Sequence, residues 1–206
     1  MKEGKTRVFL NLLRKCGEPD VTGHEMEILQ TFLPHFEKNV FAYANHYVSG
    51  AENTIKTREA DQSDDCKAGI SWSVRGGYYV MTEKEWRMFN DILLEIYYAG
   101  SLETFGERCL KLIRILIPYA QGYFLVIDED GRLDVAHSVF ENVDPVMKRK
   151  YLDTYFAKDY LMQMCNFTKS MAYRDTDLLT DEKRRASVIY REYFKPQKLD
   201  MGCGLI

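Results

Sequence analysis

The sequence lacks several features that would assign it to a class at once. No apolar run approaches the ~18 residues of a membrane-spanning helix, so no membrane partner is expected. The five cysteines form no CxxC pair, which argues against a zinc knuckle or a disulfide framework and favours reduced thiols in a cytoplasmic protein. The net charge is −3. This is not the basic excess of a nucleic-acid-binding domain, so direct nucleic-acid binding is not expected.

Signatures of catalysis and of cofactor binding are also missing. The chain holds no GxGxxG, P-loop, HExxH or GxSxG motif, and it therefore predicts no cofactor and no enzymatic activity. His24 and His35 are separated by more than two helical turns, so no metal site is expected. Four aspartates are candidates for paired carboxylates: Asp153, Asp159, Asp175 and Asp177. Nothing around Asp159 or Asp175 indicates an environment that shifts a carboxyl pKa, so no catalytic residue is predicted.

What the sequence does contain is enough apolar residues for a packed core. The hydrophobic share is 46%, which excludes a disordered chain. The segment 22–25, Thr-Gly-His-Glu, reads as a capping box that opens a helix with one apolar stripe. Pro34 lies inside that stripe and predicts a kink or a break near Thr31. Arg184 and Arg185 are expected on a solvated helix face.

Two further helices and a hairpin follow later in the chain. Apolar spacing predicts helices at 82–97 and 101–117, and alternation around the turn 128–131 predicts a β-hairpin. Asp144-Pro145 reads as the start of a short helix. With β-rich segments at 7–14 and 201–206, the pattern predicts an α+β fold: an antiparallel sheet flanked by helices.

Residues 43–80 stand apart from these patterns. Much of this range is polar and acidic and has no helical or strand periodicity. A long aperiodic stretch of this kind is more often a linker than a packed loop. The sequence therefore predicts a linker or irregular insertion at 43–80.

The segments on either side of that linker resemble a known family. The helices at 82–97 and 101–117, the hairpin at 123–139, and the stretches 151–155, 173–179 and 190–196 are similar to the GAF-like N-terminal sensory domain of LuxR-type bacterial transcription regulators. In such domains a strand like 201–206 leads into one like 9–14, followed by a helix that opens like 22–29. The resemblance implies a GAF/PAS-like fold in circularly permuted order. Residues 81–206 form its N-terminal half and residues 1–42 its C-terminal half.

The resemblance also implies a function. It predicts a sensory or regulatory module that binds a small ligand or associates with itself as a homodimer. The regulators of this family end in a helix-turn-helix, and no segment here resembles that motif. The implied role is therefore ligand sensing without DNA contact by this chain.

Tyrosines are concentrated between the hairpin and the last strand, and they are the main candidates for a ligand site. Tyrosines that line a pocket offer flat apolar walls with a hydroxyl at the rim. The alternative is that they attach short helices to the sheet while their hydroxyls reach water. The predicted ligand-binding set is Phe124, His137, Tyr151, Tyr155, Tyr160, Tyr173 and Tyr190.

Two other functions stay open at this point. Exposed strand edges favour pairing with another chain, so a structural module forming a domain-swapped dimer is one alternative. An enzyme of unrecognised type is the other, and it depends only on the four aspartates and His137.

Overall fold

The five strands of the described chain form one antiparallel sheet. The computed structural model describes residues 7–49, 82–98, 102–128, 130–163 and 170–206. The strands are β1 (Arg7–Lys15), β2 (Gln121–Ile127), β3 (Leu133–Glu141), β4 (Ala172–Arg174) and β5 (Leu199–Leu205). Their order across the sheet is β3-β2-β1-β5-β4, and every neighbouring pair is antiparallel.

Helices cover both faces of this sheet. Three long helices pack on one face: α1 (Gly23–Ser49), α2 (Glu83–Tyr97) and α3 (Leu102–Leu116). Shorter pieces lie beyond them in the chain: α4 (Pro145–Lys150), α5 (Tyr160–Gln163), α6 (Asp175–Leu178) and α7 (Asp181–Ala186), with π-helical turns at Tyr151–Tyr155 and Tyr190–Phe194 and 3-10 turns at Phe156–Lys158 and Lys195–Gln197. Residues of these shorter pieces form the core on the other face. The predicted α+β architecture is confirmed.

Strand β1 divides the core into two layers. Its residues from Val8 to Arg14 are all buried, and successive side chains point to opposite faces. Leu10 belongs to the core beneath the long helices, whereas Phe9 and Leu13 belong to the core beneath the short ones. A run of apolar residues without polar alternation is what a strand buried on both faces requires.

The entry into α1 is fixed by the predicted capping box. The backbone amide of Glu25 donates to Thr22 Oγ1 (3.2 Å), and the amide of Thr22 donates to Glu25 Oε2 (2.8 Å). The other carboxylate oxygen of Glu25 forms a buried ion pair with Arg14 of β1. Arg14 also donates to the carbonyl of Pro19 (2.9 Å). These contacts tie the central strand to the helix that follows it.

Two predictions about this helix are corrected by the structure. Of the kink or break predicted near Thr31, the break is wrong, because α1 continues from Gly23 through Pro34 to Ser49; a kink stays a prediction. A proline inside a helix removes one backbone hydrogen bond, but Phe32 and Phe36 on either side are both buried in the core and hold the helix in place. The predicted linker begins too early, since residues 43–49 are helical. The rest of that range, 50–80, lies outside the described residues.

The two β-rich segments whose adjacency was expected lie side by side. Leu10 pairs with Leu205 and Leu12 with Cys203, so β1 and β5 are antiparallel neighbours. The permuted order of the family resemblance stays a prediction, since pairing alone does not identify a family.

One row of residues crosses all five strands on the face of the short helices. The pairings run from Phe140 to Tyr123, then to Asn11, Gly204 and Tyr173. Gly204 is the one member without a side chain. A Cβ atom there would overlap the carbonyl oxygen of Leu10 and lie 2.9 Å from the hydroxyl of Tyr173. The glycine therefore lets Tyr173 lie directly over β5.

Replacing this glycine tests the close approach. We expect Gly204→Ala to destabilise the fold by about 1–3 kcal/mol or more, because the methyl group meets backbone that cannot move aside. Urea unfolding, read as a lower midpoint with an unchanged slope, measures the effect. Gly23→Ala is the matched control, since nothing lies within 4 Å of the added methyl. Equal midpoints for the two variants would contradict the packing described.

Candidate functional site

The structure brings five of the seven predicted site residues together. Tyr151, Tyr160, Tyr173 and Tyr190 are buried in the core on the short-helix side of the sheet, and Tyr155 is partly buried against it. The rings of Tyr151 and Tyr155 contact that of Tyr193, whereas Tyr160, Tyr173 and Tyr190 belong to the same core cluster. The ring centroids of Tyr151 and Tyr193 are 5.4 Å apart. We call this set of five tyrosines, with Tyr123 and Tyr193, the tyrosine layer.

The other two predicted residues lie elsewhere. Phe124 is on the opposite face, where its ring centroid is 5.7 Å from that of Phe105 and 6.1 Å from that of Phe36. It follows Tyr123 in β2, and adjacent residues of a strand point to opposite faces. His137 is on β3, where its Nδ1 lies 2.7 Å from Asp134 Oδ2. The seven residues therefore do not form a single site.

The tyrosine hydroxyls mostly do not reach water, contrary to the alternative drawn from the sequence. Tyr151 donates to Asp159 Oδ2 at 2.7 Å, and Tyr190 donates to Asp200 Oδ1 at 3.1 Å. Tyr160 interacts with the carboxylate of Asp175. Tyrosines bury apolar rings readily but need a partner for the hydroxyl, and here carboxylates supply it.

Asp159 and Asp175 are the chemically unusual groups of this layer. Each is only 1% exposed. Burial raises the pKa of Asp159 to about 6, although the hydroxyl of Tyr151 and the amide of Leu161 oppose that rise. Burial likewise raises the pKa of Asp175 to about 6, against the lowering effects of the Tyr160 hydroxyl, the Arg184 charge and the Gly202 amide. The expectation that nothing shifts the pKa of these carboxyls is wrong, because their burial depends on contacts between distant segments.

Four buried polar atoms on this face have no hydrogen-bond partner among the described residues. Three of them can accept, namely Oδ1 of Asp175, the hydroxyl oxygen of Tyr173 and Oδ1 of Asn11, and the fourth is the donor Nε of Arg184. Asp175 contacts the Gly202 amide, and Tyr173 lies over Gly204, so both lie above β5. Buried polar groups are nearly always paired, and an unpaired one calls for a water, an ion or a ligand.

The cation that acts on Asp175 is Arg184, whose Nη2 is paired with other aspartates although its Nε has no partner in the described chain. Arg184 of α7 has a side chain only 1% exposed, and its Nη2 lies 2.6 Å from Asp181 Oδ1 and 2.8 Å from Asp200 Oδ1. Its guanidinium also stacks over the ring of Tyr190. The sequence predicted a solvated face for Arg184 and Arg185. That is wrong for Arg184, whereas Arg185 is exposed.

An open cavity of about 430 Å³ lies at another place, at the end of the sheet. Its lining includes Arg114, Gln121, Asn142 and Gln197. Several of these groups bind one another or a neighbour: Gln121 donates to Gln197 at 3.1 Å, and Arg114 pairs with Glu141. None of the seven predicted ligand-binding residues lines this cavity. We therefore take the tyrosine layer, with Asp159 and Asp175, as the candidate site.

Within the described ranges, no group of three or more histidine, cysteine, aspartate or glutamate side chains is placed to hold a metal ion. In the same part of the chain, no helix combines the length and the hydropathy needed to cross a bilayer. Comparison with known families, curated proteins and solved structures finds no match to this chain.

The raised carboxyl pKa values predict how stability depends on pH. In the folded protein Asp159 and Asp175 titrate near pH 6, whereas the ordinary aspartate pKa is 3.8. Between these values the folded chain binds more protons than the unfolded chain, so the free energy of unfolding falls as pH rises from about 4 to about 6. Each carboxyl contributes a loss on the order of 2–3 kcal/mol.

The isosteric variant Asp159→Asn isolates this contribution. The free energy of unfolding, measured in urea across the same pH range, should fall less steeply with rising pH for Asp159→Asn than for the parent. Asp153→Asn, which changes an exposed aspartate on the adjacent π-helical turn, should keep the parent profile. A parent profile that is flat or rises with pH would rule out the burial described for these carboxyls.

Proposed function

We propose that the chain is a non-enzymatic, GAF-like sensory domain of a transcription regulator that binds a small ligand at the tyrosine layer. The observation that carries the proposal is the group of unpaired buried polar atoms on Asp175 and Tyr173, set among aromatic rings. An aromatic layer with a few convergent polar groups is the usual make-up of a small-molecule site. The family resemblance supports the same role.

The placement of the carboxylates favours binding over catalysis. Asp159 and Asp175 lie beneath tyrosine rings in the core, not in an open cleft. His137 lies on β3 and interacts with Asp134 of its own strand. The acidic net charge of −3 supports a role without direct nucleic-acid contact.

Removing the hydroxyl of Tyr173 tests the proposal directly. That hydroxyl has no partner in the described chain, so Tyr173→Phe should leave the melting temperature of the free protein unchanged or higher. A thermal-shift screen of small aromatic metabolites should find compounds that raise the melting temperature of the parent. At a ligand concentration a hundredfold above Kd, the free energy of unfolding should increase by about 2.7 kcal/mol. The same compounds should shift Tyr173→Phe less.

The control for this screen is Tyr98→Phe, which removes an exposed hydroxyl on the other side of the molecule. It should respond to ligand like the parent. If no compound shifts the parent, or if Tyr173→Phe responds fully, a ligand site at the tyrosine layer is refuted.

A domain-swapped dimer is the second candidate function, and the β1–β5 pairing bears on it. In a swapped dimer the same strand pairs would form between chains rather than within one. Here β2 and β5 of the same chain pair with the two edges of β1. We therefore expect the mass of a single chain in size-exclusion chromatography at low concentration. A dimer that persists on dilution would instead favour the structural module.

A further inference from the structure

We propose that the open cavity at the end of the sheet is a second binding site, which takes a sugar acid: a small polyol that carries one carboxylate. This inference goes beyond the proposed function, because the cavity shares no residue with the tyrosine layer. It follows from the strand ends that form the cavity, from the donors that line it and from their charge.

Four strand ends meet at this cavity. Strand β1 ends at Lys15, and β3 ends one residue before Asn142. Strand β2 begins at Gln121, and β5 begins at Leu199, which lies opposite Lys15. Helix α3 adds Arg114. The lining is therefore assembled by the antiparallel sheet from segments that are distant in the sequence.

The lining residues lie at different depths. Tyr119 and Leu199 are buried, whereas the charged side chains are exposed. Gln121 and Gln197 lie between them and are half-buried. The volume of about 430 Å³ is within the range of roughly 300–1,000 Å³ that small-molecule sites have. An apolar ligand would take the two amides from water and offer them no partner, which is costly. The cavity therefore suits a polar ligand.

The two glutamine amides are held in place and still have donors to offer. Gln121 Nε2 donates to Gln197 Oε1 at 3.1 Å, and Gln197 Nε2 donates to the carbonyl of Tyr193 at 2.9 Å. The hydroxyl of Tyr123 donates to Gln121 Oε1 at 2.9 Å. Each amide nitrogen carries two N–H groups, and these bonds use one of them. The second N–H of each amide and the second lone pair of Gln197 Oε1 match the hydroxyl groups of a polyol, which both accept and donate.

The charges of the lining favour an anionic ligand. The charged lining residues are two cations, Lys15 and Arg114, and one anion, Glu18, whereas the whole chain has a net charge of −3. The carboxylate of Glu18 already accepts from the backbone amide of Lys15 at 3.0 Å. A small anion would therefore find an excess of positive charge here on a chain that is acidic as a whole.

Arg114 is well placed to bind the carboxylate of such a ligand. Its guanidinium carbon lies 5.5 Å from the ring centroid of Tyr119, and its Nη1 lies 3.4 Å from Glu141 Oε1. The hydroxyl of Tyr119 binds Glu141 Oε2 at 2.6 Å, so the three side chains hold one another in position. A guanidinium has five N–H donors, and one contact to Glu141 leaves enough of them for a bidentate carboxylate.

The backbone around this cavity is also unusual. Among the non-glycine residues of the described chain, only Asn142 and Lys198 have a positive φ, of 57° and 60°. Asn142 lines the cavity, and Lys198 lies between two of its lining residues, Gln197 and Leu199. Positive φ is uncommon outside glycine, and residues that adopt it cluster at ligand sites. Both residues therefore mark the same place in the fold.

Two matched pairs of probes separate charge from shape. D-gluconate and D-glucitol differ only in a carboxylate that replaces a hydroxymethyl group, and so do D-glucuronate and D-glucose. NMR titration of the isotope-labelled full chain at neutral pH should show at least one acid binding roughly tenfold or more tightly than its neutral partner. The amide signals of Gln121 and Asn142 should shift as that acid is added. Added salt should weaken its binding, because exposed charges are screened.

Variants locate the site. Arg114→Gln removes the guanidinium from an exposed position and should weaken binding of the acid by roughly tenfold. Lys15→Met removes the charge of a second lining residue and should weaken binding too, whether or not Arg114→Gln folds. The matched control is Lys111→Gln, which removes a positive charge from the same helix at a residue that pairs with Glu107 at 3.6 Å and lies outside the lining. It should bind like the parent, and so should Tyr173→Phe.

The outcomes separate this site from the tyrosine layer. If neither acid binds, or if each neutral partner binds as tightly as its acid, the inference is overturned, while the proposed function still depends on the aromatic screen alone. Full binding by both Arg114→Gln and Lys15→Met would overturn it as well. So would an acid whose binding is abolished by Tyr173→Phe, because that acid would occupy the tyrosine layer. An acid that binds the parent and Tyr173→Phe alike, but the two cavity variants weakly, supports the second site.

Discussion

The fold depends on one constraint: β1 is buried on both faces and, among the strands of the described residues, it alone joins β2 to β5. Its partners come from the second half of the chain, at residues 121–127 and 199–205. A shift of its register by one residue would exchange Phe9 with Leu10 and place Asn11 among the long helices. Both layers of the core would then lose their packing at once. The Arg14–Glu25 ion pair keeps α1 attached to the same strand.

The two layers are built by different physical means. The layer of α1, α2 and α3 is apolar and regular, as long amphipathic helices allow. The opposite layer consists of short helical pieces, and its large side chains are tyrosines whose hydroxyls need partners. Asp159 and Asp175 supply those partners from within the core. Their burial lowers stability at neutral pH, which an apolar layer would not do, and this makes the layer a better candidate for function than for stability alone.

Sequence signals that span only a few residues correctly predicted the features that local contacts determine. The Thr22–Glu25 capping box, the start of α4 at Asp144 and the hairpin are each specified within a few residues, and each is present in the structure. The helix break that was one of the two outcomes expected at Pro34 is absent, because core packing outweighed one lost hydrogen bond. Gly50 follows the last helical residue, Ser49, and is a helix-ending signal that the prediction of a linker from residue 43 did not use.

The candidate site was predictable only in part, for the same reason. The concentration of tyrosines is visible in the sequence, and so is the strand alternation that places Tyr123 and Phe124 on opposite faces. The burial of Asp159, Asp175 and Arg184 is not visible, because it depends on which segments the sheet brings together. Charged side chains are usually solvated, so their burial here was the unexpected finding.

The origin of the site groups also constrains how a ligand would act on the protein. Tyr173 belongs to β4 and Asp175 begins α6, whereas Asp159 precedes α5. Strand β4 has three residues and pairs with β5 alone. A ligand at the tyrosine layer would therefore contact groups from this edge of the sheet and from the helices that cover it. Under the proposed function, binding would stabilise an edge formed by a three-residue strand with little disturbance of the rest of the core.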